Sequence, residues 1–453
     1  MQAIPMKHMK STSLLAGFLA SAVVLSFGCS KQADQPDQGW TPPVAVTSSI
    51  DSLAGGVALR KCFDGIIALQ TMRDMSVRCF VLRKIVGNSN SWVAVPFPNL
   101  PQLSWVIPTV GQSDGRIFFP RSRATNNQLM VGAFFTDIAK DGKVKSEADR
   151  KWVVDRKTFF GETGTNVSLN EAGFGTGNIH DEDICLPYCL YGTTLTLDGR
   201  VDGPFSSGVF HSSDSGVTWH EEQIESNFEL LGPMVCKTEG YYYYLAIKYP
   251  VYELWFSRKS TGSGSWDEPK PVTKTFAMEL GNYAAMAEDD TVHVCWMDRR
   301  HNKWRFDLSG PAIENDDIYY CHQKDSDSKW SKDVDLSKGV LYCYAPSISA
   351  EGDKIVIVWA GIQTAGKWHT DYDPNDIYYV TSKDGGNTWT KPLKVTDGAK
   401  DGMTAGHPQV MLLNGVIHLF YIQGKMDLQQ VGGLTKLNQP PWPIYYTQRP
   451  FPN

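Results

Sequence analysis

Apolar positions along this chain fall in short runs separated by tight-turn sequences, and the runs recur at fixed offsets. Pro346-Ser347-Ile348 leads through Glu351-Gly352-Asp353 to Ile355-Val356-Ile357-Val358-Trp359, and Pro408-Gln409-Val410 leads to Ile417-His418-Leu419-Phe420-Tyr421. From Pro346 to Trp359 and from Pro408 to Tyr421 the offset is 13 residues, and it returns from Tyr283 to Trp296, Pro233 to Ala246 and Pro108 to Arg121. Each segment predicts a strand, a turn and a second strand. A third strand follows a loop of variable length, at Ile318-Tyr319-Tyr320, Ile377-Tyr378-Tyr379 and Ile444-Tyr445-Tyr446. A Trp then opens a fourth, 12 residues after the third begins, at Trp330 and Trp389. The repeat is a four-stranded antiparallel blade of about 60 residues, a propeller period.

The last unit stops at Tyr446 without its Trp strand. Trp40-Thr41-Pro42-Pro43-Val44-Ala45-Val46-Thr47 matches Trp389-Thr390-Lys391-Pro392-Leu393-Lys394-Val395-Thr396 almost position for position. Residues 40–47 are therefore expected to close the ring as the outer strand of the final blade, which removes the open end of a linear array. Outer-strand tryptophans then fall at 40, 92, 152, 219, 266, 330 and 389, which favours seven blades. Residues 56–97 have atypical turns, and reading them as an insertion gives six. The expected fold is all-β: a single propeller over 40–453.

Composition agrees with many short strands, since 12% of residues are aromatic, with 14 Trp and 19 Tyr. The net charge of −6 argues against bulk binding to nucleic acid or anionic membranes. At the N-terminus, Lys7 and Lys10 precede an apolar run from Leu14 to Phe27, then Gly28-Cys29-Ser30. This resembles a bacterial lipoprotein signal over residues 1–29, with Cys29 lipidated and 30–39 a polar tether; a plain secretory signal or a retained anchor are the alternatives. The expected location is the outer membrane or cell surface, otherwise the periplasm or medium, as a monomer. Eight other cysteines form no C-x-x-C pair. Cys236, Cys295 and Cys321 read as buried thiols, and an oxidising compartment would allow Cys185/Cys189 or Cys62/Cys79 to pair.

Two octapeptides share the pattern S-x-D-x-G-x-T-W: Ser212 to Trp219 and Ser382 to Trp389, while Gln323 to Trp330 keeps only the Asp and the Trp. The carboxylates of Asp214 and Asp384 suit acceptance of backbone N–H bonds across a tight hairpin, Gly216 and Gly386 the positive-φ position, and Trp219 and Trp389 the start of the next strand. This is the Asp box, and from about residue 100 to 449 the chain resembles the sialidase (neuraminidase-like, BNR-repeat) superfamily of β-propellers. The resemblance implies a glycoside hydrolase with an arginine triad on the sugar carboxylate, a Tyr nucleophile assisted by Glu, and an Asp acid/base. The family's F/Y-R-I-P motif is absent; the nearest string is Phe118-Phe119-Pro120-Arg121.

In an antiparallel blade, the first-to-second and third-to-fourth turns share one face, here the face of the Asp boxes. The long second-to-third loops, 297–316, 360–375 and 422–443, lie on the other, where binding residues concentrate. They hold Asp298, Arg299, Arg300 and Trp304, then Trp368 and His369. Arg121 and Arg123 on an earlier blade, His180 on a long connection, and Glu229 and His407 at first-strand starts are assigned to the same rim. Arginine forks suit a carboxylate and tryptophans suit a pyranose face, so an acidic sugar is the expected ligand. Arg121, Arg123, Arg299, Arg300, His180, Trp304, Trp368 and His369 are the candidate binding residues. Asp298, Glu229 and His407 are the candidate catalytic groups. The alternatives are a polysaccharide lyase or other glycosidase with His407 or His180 as base, and a non-catalytic glycan-binding or interaction propeller. No metal or cofactor is expected; Ca²⁺ at Asp371 to Asp376 is the alternative, on a loop without the Gly that such sites require.

Overall fold

The computed structural model describes residues 36–46, the strands between 57 and 180, and 183–452 apart from 197–198, 215–216, 227–229, 250, 263, 275–282, 302–315, 363–373, 426, 432–433 and 439–441. Among the described residues the one helical element is a 3-10 turn at Ala399–Asp401. Everything else regular is strand. Six four-stranded antiparallel sheets and one six-stranded sheet follow one another along the chain. Blade 1 spans Val57 to Pro96, blade 2 Thr109 to Phe160, blade 3 Asn166 to Glu225, and blade 4 Leu230 to Pro271. Blade 5 spans Tyr283 to Asp335, blade 6 Leu341 to Lys394, and blade 7 Met403 to Pro450. Residues 56–97 are thus a full blade rather than an insertion.

Inner strands touch in sequence order, blade 1 to 2 and on to 7, and the strand Met403–Leu413 of blade 7 meets Val57–Cys62 of blade 1. The ring is closed with seven blades. In blades 4 to 7 the repeated 13-residue offset is cross-strand pairing: Tyr283 faces Trp296, and Met234, Ser347 and Gln409, one residue past their prolines, face Leu245, Val358 and Phe420. The fifth instance, Pro108 to Arg121, is corrected, since Thr109 faces Phe118 and the register there is two residues shorter. Closure by the N-terminal strand is equally direct. Val44 and Ala45 pair with Tyr446 and Tyr445, and Val46 donates to the Ile444 carbonyl at 2.8 Å. The same bond recurs from Leu336 to Ile318 and from Val395 to Ile377, each 2.8 Å. Ordered contacts begin ahead of Trp40, in the stretch read as tether: the Asp37 amide donates to the Lys394 carbonyl at 2.9 Å, and its carboxylate meets Arg449 and Tyr379.

Blades adhere through apolar faces of alternating strand residues. Trp40 sits edge-on to Tyr379 of blade 6, as Trp389 does to Tyr320 of blade 5 and Trp330 to Tyr243 of blade 4. These three outer-strand tryptophans therefore pack on the preceding blade. Carboxylates add ties at the first-to-second turns. Glu288 accepts from Gly352 at 2.8 Å, and Glu351 accepts from Asn414 and Gly415 at 2.8 and 2.7 Å, so each turn is held by the blade before it.

The two full Asp boxes have one geometry. Asp214 Oδ1 and Asp384 Oδ1 accept from the amides of Thr218 and Thr388, both at 2.8 Å, while the threonine hydroxyls donate to Oδ2 at 2.6 Å. These bonds, led by the Thr218 hydroxyl, hold the Asp214 carboxyl down at about 2. Gly386 takes φ 92°, and a Cβ there would land on the Tyr320 hydroxyl. In the degenerate third box, Asp325 reaches across to blade 4 instead, accepting from Thr238 Oγ1 at 2.6 Å and Gly240 N at 2.7 Å.

Two expectations are corrected here. His180 pairs with Asp183 across a tight turn, and the next residue, Ile184, pairs with Ser212 at the start of the first Asp box. His180 thus belongs to the Asp-box face, because Asn178–His180 is the first strand of its blade and not a long connection. Cys185 and Cys189 are free thiols four residues apart on one extended strand, about 13 Å by strand rise, too far to bridge. Cys236, Cys295 and Cys321 are buried thiols as expected. Cys79 lies outside the described residues.

Candidate functional site

The long-loop end of blade 5 carries the charged group that the sequence singles out, and the structure shows what each member does. Asp298 ends strand Thr291–Asp298 and is fully buried. Its Oδ2 accepts from Trp296 Nε1 at 2.9 Å and from Arg300 at 2.7 Å, and its Oδ1 accepts from Arg300 N and Nε at 2.8 and 3.0 Å. Such a carboxylate is closed to substrate. It serves as a clamp for Arg300, which also pairs with Asp333 and lies 3.7 Å above the Tyr319 ring. Arg299 forks onto Asp316, Nε to Oδ1 at 2.8 Å and Nη2 to Oδ2 at 3.4 Å. The assignments of Asp298 as acid/base and of Arg299 and Arg300 as carboxylate binders are therefore corrected. Inside a half-buried rim, arginines and acids of one loop satisfy one another before any ligand arrives.

Beside them His301 bonds Asp317 at 2.9 Å. Burial raises the Asp317 carboxyl above its ordinary value, against the lowering effect of that bond. Asp316 also touches the next blade: its carbonyl accepts from the Cys343 amide at 2.9 Å. One residue on is Tyr344, and from here the polar surface continues onto blades 6 and 7.

His407 lies on the innermost strand of blade 7, Met403–Leu413. It is exposed, has φ 48°, and stands where the ladder slips between Gly406 and Gln409. Ala345 (φ 51°) and Gly232 (φ 58°) occupy the corresponding slips in blades 6 and 4, each directly before a Pro. A positive φ costs a non-Gly residue on the order of 1 kcal/mol, and such strain concentrates at functional positions. Among the described residues nothing hydrogen-bonds the His407 ring, although burial lowers its pKa. The His407 ring lies 6.3 Å from that of Tyr344, edge to face.

Tyr344 accepts from Asn375 Nδ2 at 3.1 Å, and Asn375 N donates to Thr404 Oγ1 at 3.1 Å. Burial pushes the Tyr344 hydroxyl up to about 12. A neutral imidazole thus stands next to a protonated phenol, with an amide and a hydroxyl alongside. Proton abstraction and donation are the chemistry these groups can perform. Tyr344, Asn375 and Thr404 escape a reading of the sequence; the signal for Tyr344 is the Tyr344-Ala345-Pro346 string, which repeats the register of Gly406-His407-Pro408.

Arg121 and Arg123 lie inside strand Arg116–Thr125, paired with Gly132 and Met130, so Arg121 is not at a strand end. Glu229, Trp304, Trp368, His369, Gly216, Trp152 and Cys29 lie outside the described residues, as do residues 371–373 of the Asp371–Asp376 loop.

No protein-family model matches the chain, and no curated protein matches it. Solved structures similar to it include a Trypanosoma rangeli sialidase mutant displaying trans-sialidase activity, at 11% identity and TM-score 0.44, covering 92% of this chain and 60% of that one. Another is the intramolecular trans-sialidase of Ruminococcus gnavus, at 11% identity and TM-score 0.41, covering 89% and 96%. The catalytic domain of a Coprinopsis cinerea GH62 α-L-arabinofuranosidase follows at 10% identity and TM-score 0.31, covering 62% and 92%. The chain thus spans less than two thirds of the first of these. The propeller itself rests on the sheets and the ring order described above.

Proposed function

We propose that this protein is an exported, carbohydrate-active enzyme that cleaves an acidic glycan, with His407 as its proton-transfer group. One observation supports the reading above others. His407 is held at a strained backbone position on an innermost strand, open to solvent, without a hydrogen bond among the described residues, and beside Tyr344. A histidine kept neutral by its surroundings has a ring nitrogen able to accept a proton near pH 7, and a tyrosine of raised pKa still holds its proton there. That pair suits β-elimination from a uronate, in which a base removes the proton α to the carboxylate and an acid protonates the leaving oxygen.

Hydrolysis of the sialidase type is less well supported. It needs a reactive tyrosine and a free carboxylic acid, whereas Tyr344 has a raised pKa and Asp298 is sealed beneath Arg300. The test is a panel of uronate-containing, sialylated and neutral polysaccharides, scored for reducing ends and for the absorbance of unsaturated uronates. The expected result is unsaturated product from a uronate-containing chain, with rates falling roughly 100-fold or more in His407→Gln and in Tyr344→Phe. Reducing ends without unsaturation would replace elimination by hydrolysis. Binding with no product, unchanged in His407→Gln, would leave a glycan-binding propeller.

A further inference from the structure

On the opposite face, at the boundary of blades 3 and 4, a second group of polar side chains converges and has no part in the glycan site. Asp183 and Cys185 are two residues apart on strand Asp183–Thr196 and so point to the same side of the sheet. His211, on strand Gly199–Ser212, is the direct cross-strand partner of Cys185. One ligand atom from each of the three lies within 4.8 Å of the others, the one such convergence among the described residues. We propose that Asp183, Cys185 and His211 form a binding site for a divalent transition metal, zinc by preference.

The remaining atoms of the ligands are already oriented. Asp183 turns Oδ1 to His211 Nε2 at 2.7 Å, while its Oδ2 is held by Lys237 and Tyr242 of blade 4. His211 Nδ1 faces Glu222 Oε1 at 3.2 Å, and Glu222 is fixed in turn by Lys259 at 2.6 Å and by Trp266 Nε1 at 2.7 Å. A carboxylate on the far nitrogen of a ligating histidine is the usual outer partner of a zinc site. Oδ1, Nε2 and Sγ are left facing one another. Thiolate, imidazole and carboxylate together select a borderline ion such as Zn²⁺ over Mg²⁺ or Ca²⁺, with one position open to water.

Lys259 is matched by Glu222, and Lys237 holds the Asp183 oxygen Oδ2 while Oδ1 is left for the ion. Both nitrogens of His211 face carboxylate oxygens, so the ring carries two protons in the metal-free form. The ion takes the place of the proton between Nε2 and Oδ1, and Cys185 releases its thiol proton to solvent as sulfur donates a lone pair. Two protons leave as two positive charges arrive, and the charge of the cluster is unchanged. The Asp183 and His211 side chains are each 16% exposed, which gives the ion a way in.

The experiment uses the full chain, produced in medium supplemented with Zn²⁺ or Co²⁺ and dialysed. About one metal per chain is expected by elemental analysis, and the Co²⁺ form should show a thiolate-to-cobalt charge-transfer band in the near ultraviolet. Cys185→Ser, which is nearly isosteric, should lose the band and the bound metal, whereas Cys321→Ser should keep both. Glu222→Gln should weaken binding about 10- to 100-fold. Metal-free wild-type protein, or a Cys185→Ser variant with the same band and stoichiometry, would overturn the proposal. None of these outcomes depends on the glycan reading.

Discussion

Replacing Trp40 by Ala is the most direct challenge to the closed ring. Trp40 is half-buried, edge-on to Tyr379 at 5.3 Å, and packs against the apolar cluster shared by blades 6 and 7. A fully buried Trp contributes about 150–250 Å² of burial, or about 4–6 kcal/mol at 25 cal/mol per Å². Half of that, with incomplete collapse of the space left behind, gives a loss of about 2–4 kcal/mol. The backbone bonds of the strand stay in place, among them Thr41 N to Gln448 O at 2.9 Å, so the variant should fold and be measurably weaker. Urea unfolding followed by circular dichroism reads the loss, with Trp389→Ala as internal reference because Trp389 fills the same position one blade earlier. Removal of residues 1–35 should change little. If Trp40→Ala left the midpoint unchanged while Trp389→Ala lowered it, the N-terminal strand would not belong to the cooperative unit, and the closure argument would fail.

Gly386→Ala should lose roughly 2 kcal/mol or more, since Gly386 has φ 92° and the new methyl meets the Tyr320 hydroxyl; a melting temperature within a degree of wild type would count against it. Asp384→Ala removes the turn bonds to Thr388 and should lose about 1 kcal/mol with glycan cleavage intact, because the box is on the far face; lost cleavage at normal stability would reverse the assignment of faces. Burial holds the His293 imidazole down at about 3, below its unfolded value of about 6.5, so its contribution to stability is complete above pH 6.5 and shrinks as pH falls toward 3. Near pH 5 the loss is about 2 kcal/mol, seen as a falling urea midpoint that His293→Gln should flatten. Cleavage by His407 should persist below neutral pH, since burial lowers the pKa of that ring; an activity limb well above pH 7 would contradict its role as base.

What the sequence determined by itself was whatever repeats locally. The 13-residue offset reflects cross-strand pairing within a hairpin, so it survives in composition and spacing, and the Asp boxes state their own hydrogen bonds in eight letters. The homology between residues 40–47 and 389–396 carried the closure of the ring for the same reason: equal environments select equal residues. Partners from separate segments left no such trace. That Arg299 belongs to Asp316, that Asp298 is spent on Arg300, and that Tyr344 stands beside His407 follow from how loops and neighbouring blades meet. The assignment of His180 to the wrong face shows the same limit, since one misjudged strand in blade 3 reverses the end on which a turn emerges. A charge in a sequence is an unassigned valence. Only the tertiary structure decides whether another side chain or a ligand fills it, because the cost of burying it alone forces the nearest available partner into place.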